Sequence, residues 1–304
     1  MIKNIGHHII GGFSALLYIV NTVIWTIPVL ALSIFKLIPI SSWRRLISYI
    51  LDACATAWIT FNNLNQKLTS RTRLHVKGTE SLARKGWYLV IANHQSWVDI
   101  LVLQRVFNRK IPFLKFFLKK ELIFVPLLGL AWWALDFPFM RRYSKSFLAK
   151  NPHMKGKDME TTRKACEKFK FKPVSVMNFV EGTRFTKHKH HKQASPFSHL
   201  LKPKAGGVAF VLNAMGEHLH KLVDVTIDYP TGVPTFWDFI SGKVGDIRVN
   251  VQVTPIKDIV QGGIISDKYF EDPQERIKFQ AWLNDRWLQK DKLLTSVNST
   301  QNPL

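Results

Sequence analysis

The stretch WYLVIANHQSWVDILVL, from Trp87 to Leu103, changes character at its centre. Trp87, Tyr88, Leu89, Val90 and Ile91 are aromatic or branched, the composition of a buried strand. Ser96 is placed to cap a helix whose apolar positions run through Val98, Leu101, Val102 and Val106. The strand therefore ends on Asn93-His94, and His94 and Asp99 flank one strand-to-helix turn. An imidazole becomes a general base when a carboxylate holds its far ring nitrogen and stabilises the imidazolium formed on proton uptake. A plainer reading has His94 bonded to a loop carbonyl and Asp99 capping the helix. The pair alone does not decide between them.

A second turn of the same kind lies further on. NFVEGTRFT, Asn178 to Thr186, follows the apolar strand Val174-Ser175-Val176-Met177. Glu181-Gly182-Thr183-Arg184 sets a flexible glycine turn beside a hydroxyl and a guanidinium, a combination suited to gripping phosphate through backbone N–H groups and a bidentate fork. Taken alone, it is equally a surface turn carrying a Glu–Arg pair.

Together and in this order, the two blocks resemble the glycerolipid acyltransferases of the lysophosphatidic acid acyltransferase (PlsC-like) type. The NHxxxxD block of that family is matched by Asn93, His94 and Asp99, and its FPEGTR block by Phe179, Glu181, Gly182, Thr183 and Arg184. Val180 stands in place of the usual proline. Between the blocks, Phe139-Met140-Arg141-Arg142 is similar to a phenylalanine-rich block ending in arginine, with Arg142 the matching guanidinium. The proline of the fourth block is missing from Leu222-Val223-Asp224-Val225-Thr226-Ile227. The resemblance extends from about Arg73 to Tyr229 and looks closest to the bacterial YihG-type inner-membrane acyltransferases.

The resemblance implies His94 as general base, oriented by Asp99, with Arg142, Glu181, Gly182, Thr183 and Arg184 around the acceptor's phosphate and Glu181 fixing their turn. It implies no cofactor and no metal. The implied reaction moves a fatty acyl group from acyl-CoA or acyl carrier protein to the free hydroxyl of 1-acyl-glycerol-3-phosphate. Another lysophospholipid acceptor, such as lysophosphatidylglycerol, fits the same motifs. No acyl-enzyme is expected, because neither Cys54 nor Cys166 holds a motif position. Two isolated cysteines make no disulfide framework and fit reduced thiols.

Outside these blocks the N-terminus is the most distinctive region. From Ile9 to Phe35 there is no Asp, Glu, Lys or Arg, a run longer than the ~20 residues that cross a bilayer. No small-residue cleavage site with a polar sequence after it follows, so the segment reads as a retained anchor. Pro28 divides the run, and Lys36, Arg44 and Arg45 come after it. Either one span or a helix pair entering and leaving one leaflet fits. Both place the catalytic part on the cytoplasmic face, and the resemblance implies a bacterial inner membrane.

The formal charge of +22 points to anionic partners. Ile111 to Lys120 interleaves lysines with phenylalanines, which fits a helix lying in an acidic headgroup layer with its apolar side chains inserted, whereas no zinc-finger or RNA-recognition pattern appears. No nucleic acid partner is therefore expected. The rival from another class is a basic membrane or nucleic-acid-binding adaptor, which accounts for the charge but not for the two motif turns.

The remaining segments complete the outline. Trp43 to Leu68 reads as a long helix, Arg73 to Thr79 as a short strand, and Leu122 to Met140 as a buried or interfacial helix. Tyr143 to Phe169 reads as a mainly helical connector, and KHKHHK, Lys187 to Lys192, as a mobile basic loop and not a metal site. Lys204 and Gly206 open a helix whose positive end suits a phosphate, although a turn with solvated lysines fits equally. Strands follow at Leu222–Tyr229 and Asp246–Ile256. An amphipathic docking helix over Glu271–Leu294 then presents Ile277, Phe279, Trp282, Leu283, Trp287 and Leu288. The expected fold is α/β, a mixed β-sheet covered by helices behind an N-terminal membrane-anchoring helix or helix pair. Residues 1–67 form the anchor and connecting helix, 68–295 the catalytic domain and 296–304 a disordered tail.

Overall fold

The chain opens with two long helices, α1 (Ile2–Ile34) and α2 (Ser41–Thr69), joined through a 3-10 turn over Phe35–Leu37. This is a computed structural model, and it describes residues 2–140, 151 and 157–299. Pro28 does not divide the apolar run, because α1 continues through it. Packing on α2 outweighs the lost backbone bond: Asn21 Nδ2 donates to Trp58 O at 2.9 Å and to Asn62 Oδ1 at 2.8 Å, and Val29 beyond the proline is buried. The helix pair is thus α1 with α2.

The body follows as β1 (Arg73–Lys77), β2 (Tyr88–Ala92), α3 (Val98–Phe107), β3 (Leu114–Phe116), β4 (Leu118–Lys119), α4 (Leu128–Ala134) and β5 (Phe139–Met140). It continues as α5 (Lys157–Phe169), β6 (Ser175–Phe179), α6 (Lys187–Gln193), α7 (Ala205–Met215), β7 (Lys221–Asp228), α8 (Phe236–Ile240), β8 (Asp246–Pro255), α9 (Ile256–Gln261) and α10 (Pro273–Ser299). Six strands make one sheet in the order β1-β8-β7-β2-β6-β3. From β7 to β3 neighbours run parallel, while β8 is antiparallel to β7 and parallel to β1. The fold is the expected mixed α/β sheet flanked by helices.

β2 is buried on both faces, as its unbroken apolar run requires. Tyr88, Val90 and Ala92 pack with residues of α2, α3 and α4, whereas Leu89 and Ile91 pack with residues of α5, α7 and α10. Register places Ala92 beside Phe179 of β6 and Val225 of β7. The carboxyl ends of these three parallel strands therefore converge, where ligands of open α/β sheets bind.

Several local readings change: Ile111–Lys120 is not a headgroup helix but carries β3 and β4, with Leu114, Lys115 and Phe116 buried in the sheet. Leu122–Met140 is not one helix: α4 has 7 residues, preceded by Pro126 and by Leu127 at φ +61° and ended near Asp136 at φ +60°. Those left-handed residues cannot belong to a continuing α-helix. KHKHHK forms α6, not a loop, because Thr186 Oγ1 accepts from Lys189 N at 3.2 Å and caps it. On α10, Phe279, Leu283, Trp287 and Leu294 are buried but Ile277 and Leu288 are exposed, so its inward stripe is narrower than the pattern predicts. The same helix runs to Ser299, into the stretch read as a tail. The first part of the connector, from Tyr143, and the Arg142 candidate lie outside the described residues.

Candidate active site

Two hydrogen bonds from backbone amides hold the motif turns together. His94 N donates to Glu181 Oε1 at 3.1 Å, and Phe185 N donates to His94 O at 2.7 Å. Asn93 ties the same turn to β7, giving its Nδ2 to Ile227 O and accepting from Ile227 N, both at 2.9 Å. Helix α3 starts one residue later than a Ser96 cap predicts. Ser96 Oγ still accepts from Val98 N at 3.2 Å, and so does the work of a cap.

Within the turn, His94 Nδ1 lies 2.9 Å from Asp99 Oδ2. The same oxygen accepts from Gln95 N at 2.6 Å and Ser96 N at 2.9 Å, while Oδ1 accepts from Tyr229 Oη at 2.5 Å. Asp99 is completely buried. The plainer reading does not hold, because the His94 ring meets Asp99 and not a loop carbonyl, and the Asp99 carboxylate satisfies the Gln95 and Ser96 amides ahead of the helix instead of capping it, while also orienting the imidazole. A carboxylate accepts only, so Nδ1 carries the hydrogen and Nε2 is left for a proton from a ligand. Phe179 fixes the ring plane by stacking on it, with centroids 3.9 Å apart and planes at 13°.

Tyr229, bonded to Asp99, is a residue of the candidate site that sequence reasoning missed. Burial first, and then the Asp99 charge, push the Tyr229 hydroxyl well above its ordinary value, so it stays a donor. Its one available sequence signal is its position just after β7, the strand beside β2. Tyr229→Phe should lower kcat by roughly tenfold, the worth of one hydrogen bond to a charged group, with KM unchanged. Steady-state kinetics on Tyr229→Phe, Asp99→Asn and the double variant check it. Multiplicative losses would show that Tyr229 does not act through Asp99.

Glu181 is completely buried and binds backbone only, with Oε2 accepting from Leu201 N at 3.1 Å. It is a positioning residue, out of reach of a ligand. Burial pushes its carboxyl up to about 8, against the opposing pull of the Leu201 and His94 N–H groups. Folded protein then holds a proton that unfolded protein has lost, so stability falls as pH rises from about 5 to about 8. Glu181→Gln should flatten that slope while lowering stability throughout, since the amide nitrogen cannot accept; unfolding midpoints across this range test it.

The glycine turn sits opposite the imidazole. Gly182 adopts φ +71°, a conformation that side chains resist. Thr183 Oγ1 accepts from Lys189 Nζ at 2.8 Å, and the same amine reaches Arg184 O at 2.9 Å. The exposed Arg184 guanidinium lies 4.8 Å above the Trp97 ring, which holds it while leaving its donors usable. Lys204 and Gly206, by contrast, do not line this cavity. Lys204 N donates to Val180 O at 2.8 Å, so that strand-to-helix connection shapes the turn from behind.

His94, Trp97, Phe179, Gly182, Thr183 and Arg184 line one cavity of about 500 Å³. Its other walls are mostly apolar and come from α1 and α2 through Trp25, Val29, Ala55 and Trp58, and from the α4 region through Leu128, Ala131, Trp132 and Phe137, with Lys119 a further cation on the wall. That volume lies within the range of small-molecule sites. Among the described residues, no group of three or more His, Cys, Asp or Glu could hold a metal ion. His190 Nε2 instead meets Phe197 O at 2.6 Å.

An imidazole held by a buried carboxylate and a guanidinium turn thus share one wall of a mostly apolar chamber in an α/β protein. The chain belongs to the Acyltransferase family, which it matches over residues 73–231. It is 24% identical over 216 residues to the mouse 1-acyl-sn-glycerol-3-phosphate acyltransferase delta, covering 67% of this chain and 51% of that protein. It is also 24% identical over 281 residues to a probable 1-acyl-sn-glycerol-3-phosphate acyltransferase 5 of Arabidopsis thaliana, covering 88% and 67% respectively. The chain thus spans about half the length of the mouse relative. The crystal structure of the 1-acyl-sn-glycerophosphate acyltransferase PlsC from Thermotoga maritima shares the fold, with a TM-score of 0.53, 19% identity and coverage of 95% of this chain and 98% of that one.

Proposed function

We propose that this protein transfers a fatty acyl group from a thioester, acyl-CoA or acyl carrier protein, to the free hydroxyl of 1-acyl-glycerol-3-phosphate, giving phosphatidic acid. The observation that carries this reading is the shared cavity, where His94 and Arg184 meet an apolar chamber long enough to involve both N-terminal helices. His94 Nε2 takes the hydroxyl proton, the oxygen attacks the thioester carbonyl, and the carbon–sulfur bond breaks. The imidazolium, stabilised by Asp99, returns its proton to the departing thiolate. Thr183, Arg184 and the Gly182 turn hold the acceptor's phosphate, with Arg142 assigned by family resemblance. Lys204 and Gly206 support the turn.

Cysteine is not needed as a nucleophile. Cys166 is buried, and burial pushes its thiol up to about 12, where little thiolate forms.

The reading includes the membrane, and within the family the inner-membrane YihG type with a cytoplasmic site. α1 is apolar and long enough to cross a bilayer, and Ile9, Phe13, Leu16, Ile24 and Ile27 face outward. Yet both of its ends dock on the body: His7 Nδ1 lies 2.8 Å from Ser241 O, and Lys36 Nζ lies 2.5 Å from Asp136 Oδ2. A helix of about 50 Å held at both ends along one domain favours lying in one leaflet over standing across it.

Thiol release from oleoyl-CoA by detergent-purified protein, with and without lysophosphatidic acid, tests the function. Acceptor-dependent release is expected. Release independent of acceptor would make the protein a thioesterase. No release with any lysophospholipid or with an acyl carrier protein donor would favour the adaptor reading.

A further inference from the structure

The turn between α1 and α2 closes a second cavity, of about 330 Å³, that shares no lining residue with the first. Six cationic side chains line it: Lys36, Arg44, Arg45, Lys115, Lys168 and Lys172. Among the described residues, the carboxylates that answer them are Asp136, on the wall, and Asp52 behind it. Lys172 Nζ donates to Asp52 Oδ2 and Ser48 O, both at 2.6 Å, and Lys115 Nζ donates to Leu135 O at 2.6 Å. Both lysines are buried. The cavity therefore carries a positive surplus: Asp52 and Asp136 answer its buried lysines, while Arg44 and Arg45 add charge from exposed positions at its wall, a field that draws an anion. Burial lowers the Lys172 amine to about 8, only partly opposed by Asp52. Asp136 shows the same field from the other side, because Lys115 and Lys36 together overcome the upward push of burial and hold its carboxyl low.

The wall supplies donors as well as charge. Arg44 is anchored through Nε, which donates to Lys36 O and Ile38 O, each at 3.0 Å, and among the described residues its Nη groups meet no hydrogen-bond partner. Ser41, the first residue of α2, also lines the cavity, and that helix has no side-chain cap. At the rim the chemistry changes. Phe171 lines the cavity yet is 71% exposed, and Leu46, Tyr49 and Ile50 on the adjoining stretch of α2 are exposed too. A cationic well with an apolar rim has the chemistry of a phosphate group joined to hydrocarbon.

We propose that this cavity binds the phosphate of an anionic phospholipid headgroup, as a lipid site separate from the catalytic cavity. The lipid's acyl chains lie along Phe171 and the outer face of α2, and its headgroup fixes the hairpin's turn at the membrane surface. The phosphate chemistry rests on the cavity alone. The choice of lipid over free phosphate rests also on the membrane seating of the proposed function.

Native mass spectrometry in a nonionic detergent tests this without any turnover, so its failure is separate from failure of the acyltransfer assay. The full chain should retain one phosphatidylglycerol per molecule and no phosphatidylcholine. Arg44→Gln/Arg45→Gln should weaken retention by at least about tenfold, the loss expected for charge-assisted bonds, and Lys168→Gln should weaken it in the same direction. Arg84→Gln/Lys85→Gln removes equal charge from exposed positions outside every cavity wall described and should leave it unchanged. All these side chains are exposed, and equal unfolding midpoints confirm intact folding. Retention unaffected by Arg44→Gln/Arg45→Gln, equal retention of phosphatidylcholine, or inorganic phosphate binding as tightly as the lipid would each overturn the proposal.

Discussion

Replacing His94 by alanine should cut kcat by roughly 100- to 10,000-fold, the usual contribution of a positioned general base, with both apparent KM values within about twofold of wild type. The asymmetry follows from what the side chain touches. Its Nδ1 is engaged by Asp99, its face by Phe179, and only Nε2 remains to meet a reacting hydroxyl. Truncation leaves Asp99 with the Gln95 and Ser96 amides and the Tyr229 hydroxyl, so the buried carboxylate is not orphaned. The thermal midpoint should therefore move little. His94→Ala combined with Asp99→Asn should be no slower than His94→Ala alone, because Asp99 acts on the reaction only through the imidazole. Steady-state kinetics on purified variants, with circular dichroism melts alongside, decide it. A large KM increase with kcat preserved would remove His94 from the chemistry.

The two motif turns were legible because each is a local event, in which a branched run stops on polar residues and the spacing fixes what shares the turn. His94, Asp99 and the Glu181–Arg184 segment needed no knowledge of distant contacts. The amide bridge from His94 N to Glu181 Oε1 joins segments of separate strands, and the parallel pairing of β2 with β6 brings them together. Tyr229 was hidden for a related reason. It reaches Asp99 only because β7 lies parallel to β2 in a register that places Val225 beside Ala92, and nothing local in the β7 sequence encodes that register. The chamber was equally hidden, since Trp25 and Trp58 read as ordinary apolar positions of long helices until the hairpin folds over the sheet. Lys204 and Gly206 show where composition alone does not give position. A lysine and glycine opening a helix have the composition of a phosphate site, but the direction of α7 is set by its packing beneath the turn and takes them off the cavity wall.

Arg184→Ala should raise KM for the lysophospholipid acceptor by roughly 10- to 100-fold, the worth of charge-assisted bonds to a phosphate, while kcat at saturating acceptor falls far less. Arg184 carries its charge on an exposed arm steadied by Trp97, and its guanidinium takes no part in holding His94 or Asp99. Losing it should therefore weaken the grip on the acceptor without disturbing the base. Arg184→Lys keeps the charge but loses the planar fork and the stacked geometry, so it should recover only part of the affinity. Trp97→Ala should imitate a weaker form of the same defect by releasing the arginine into solvent. The donor separates this from a general collapse of the cavity: KM for oleoyl-CoA should stay near wild type in all three variants. If Arg184→Ala instead lowered kcat with acceptor KM unchanged, while His94→Ala raised KM, the two assignments would be exchanged and the proposed division between base and phosphate grip would fall.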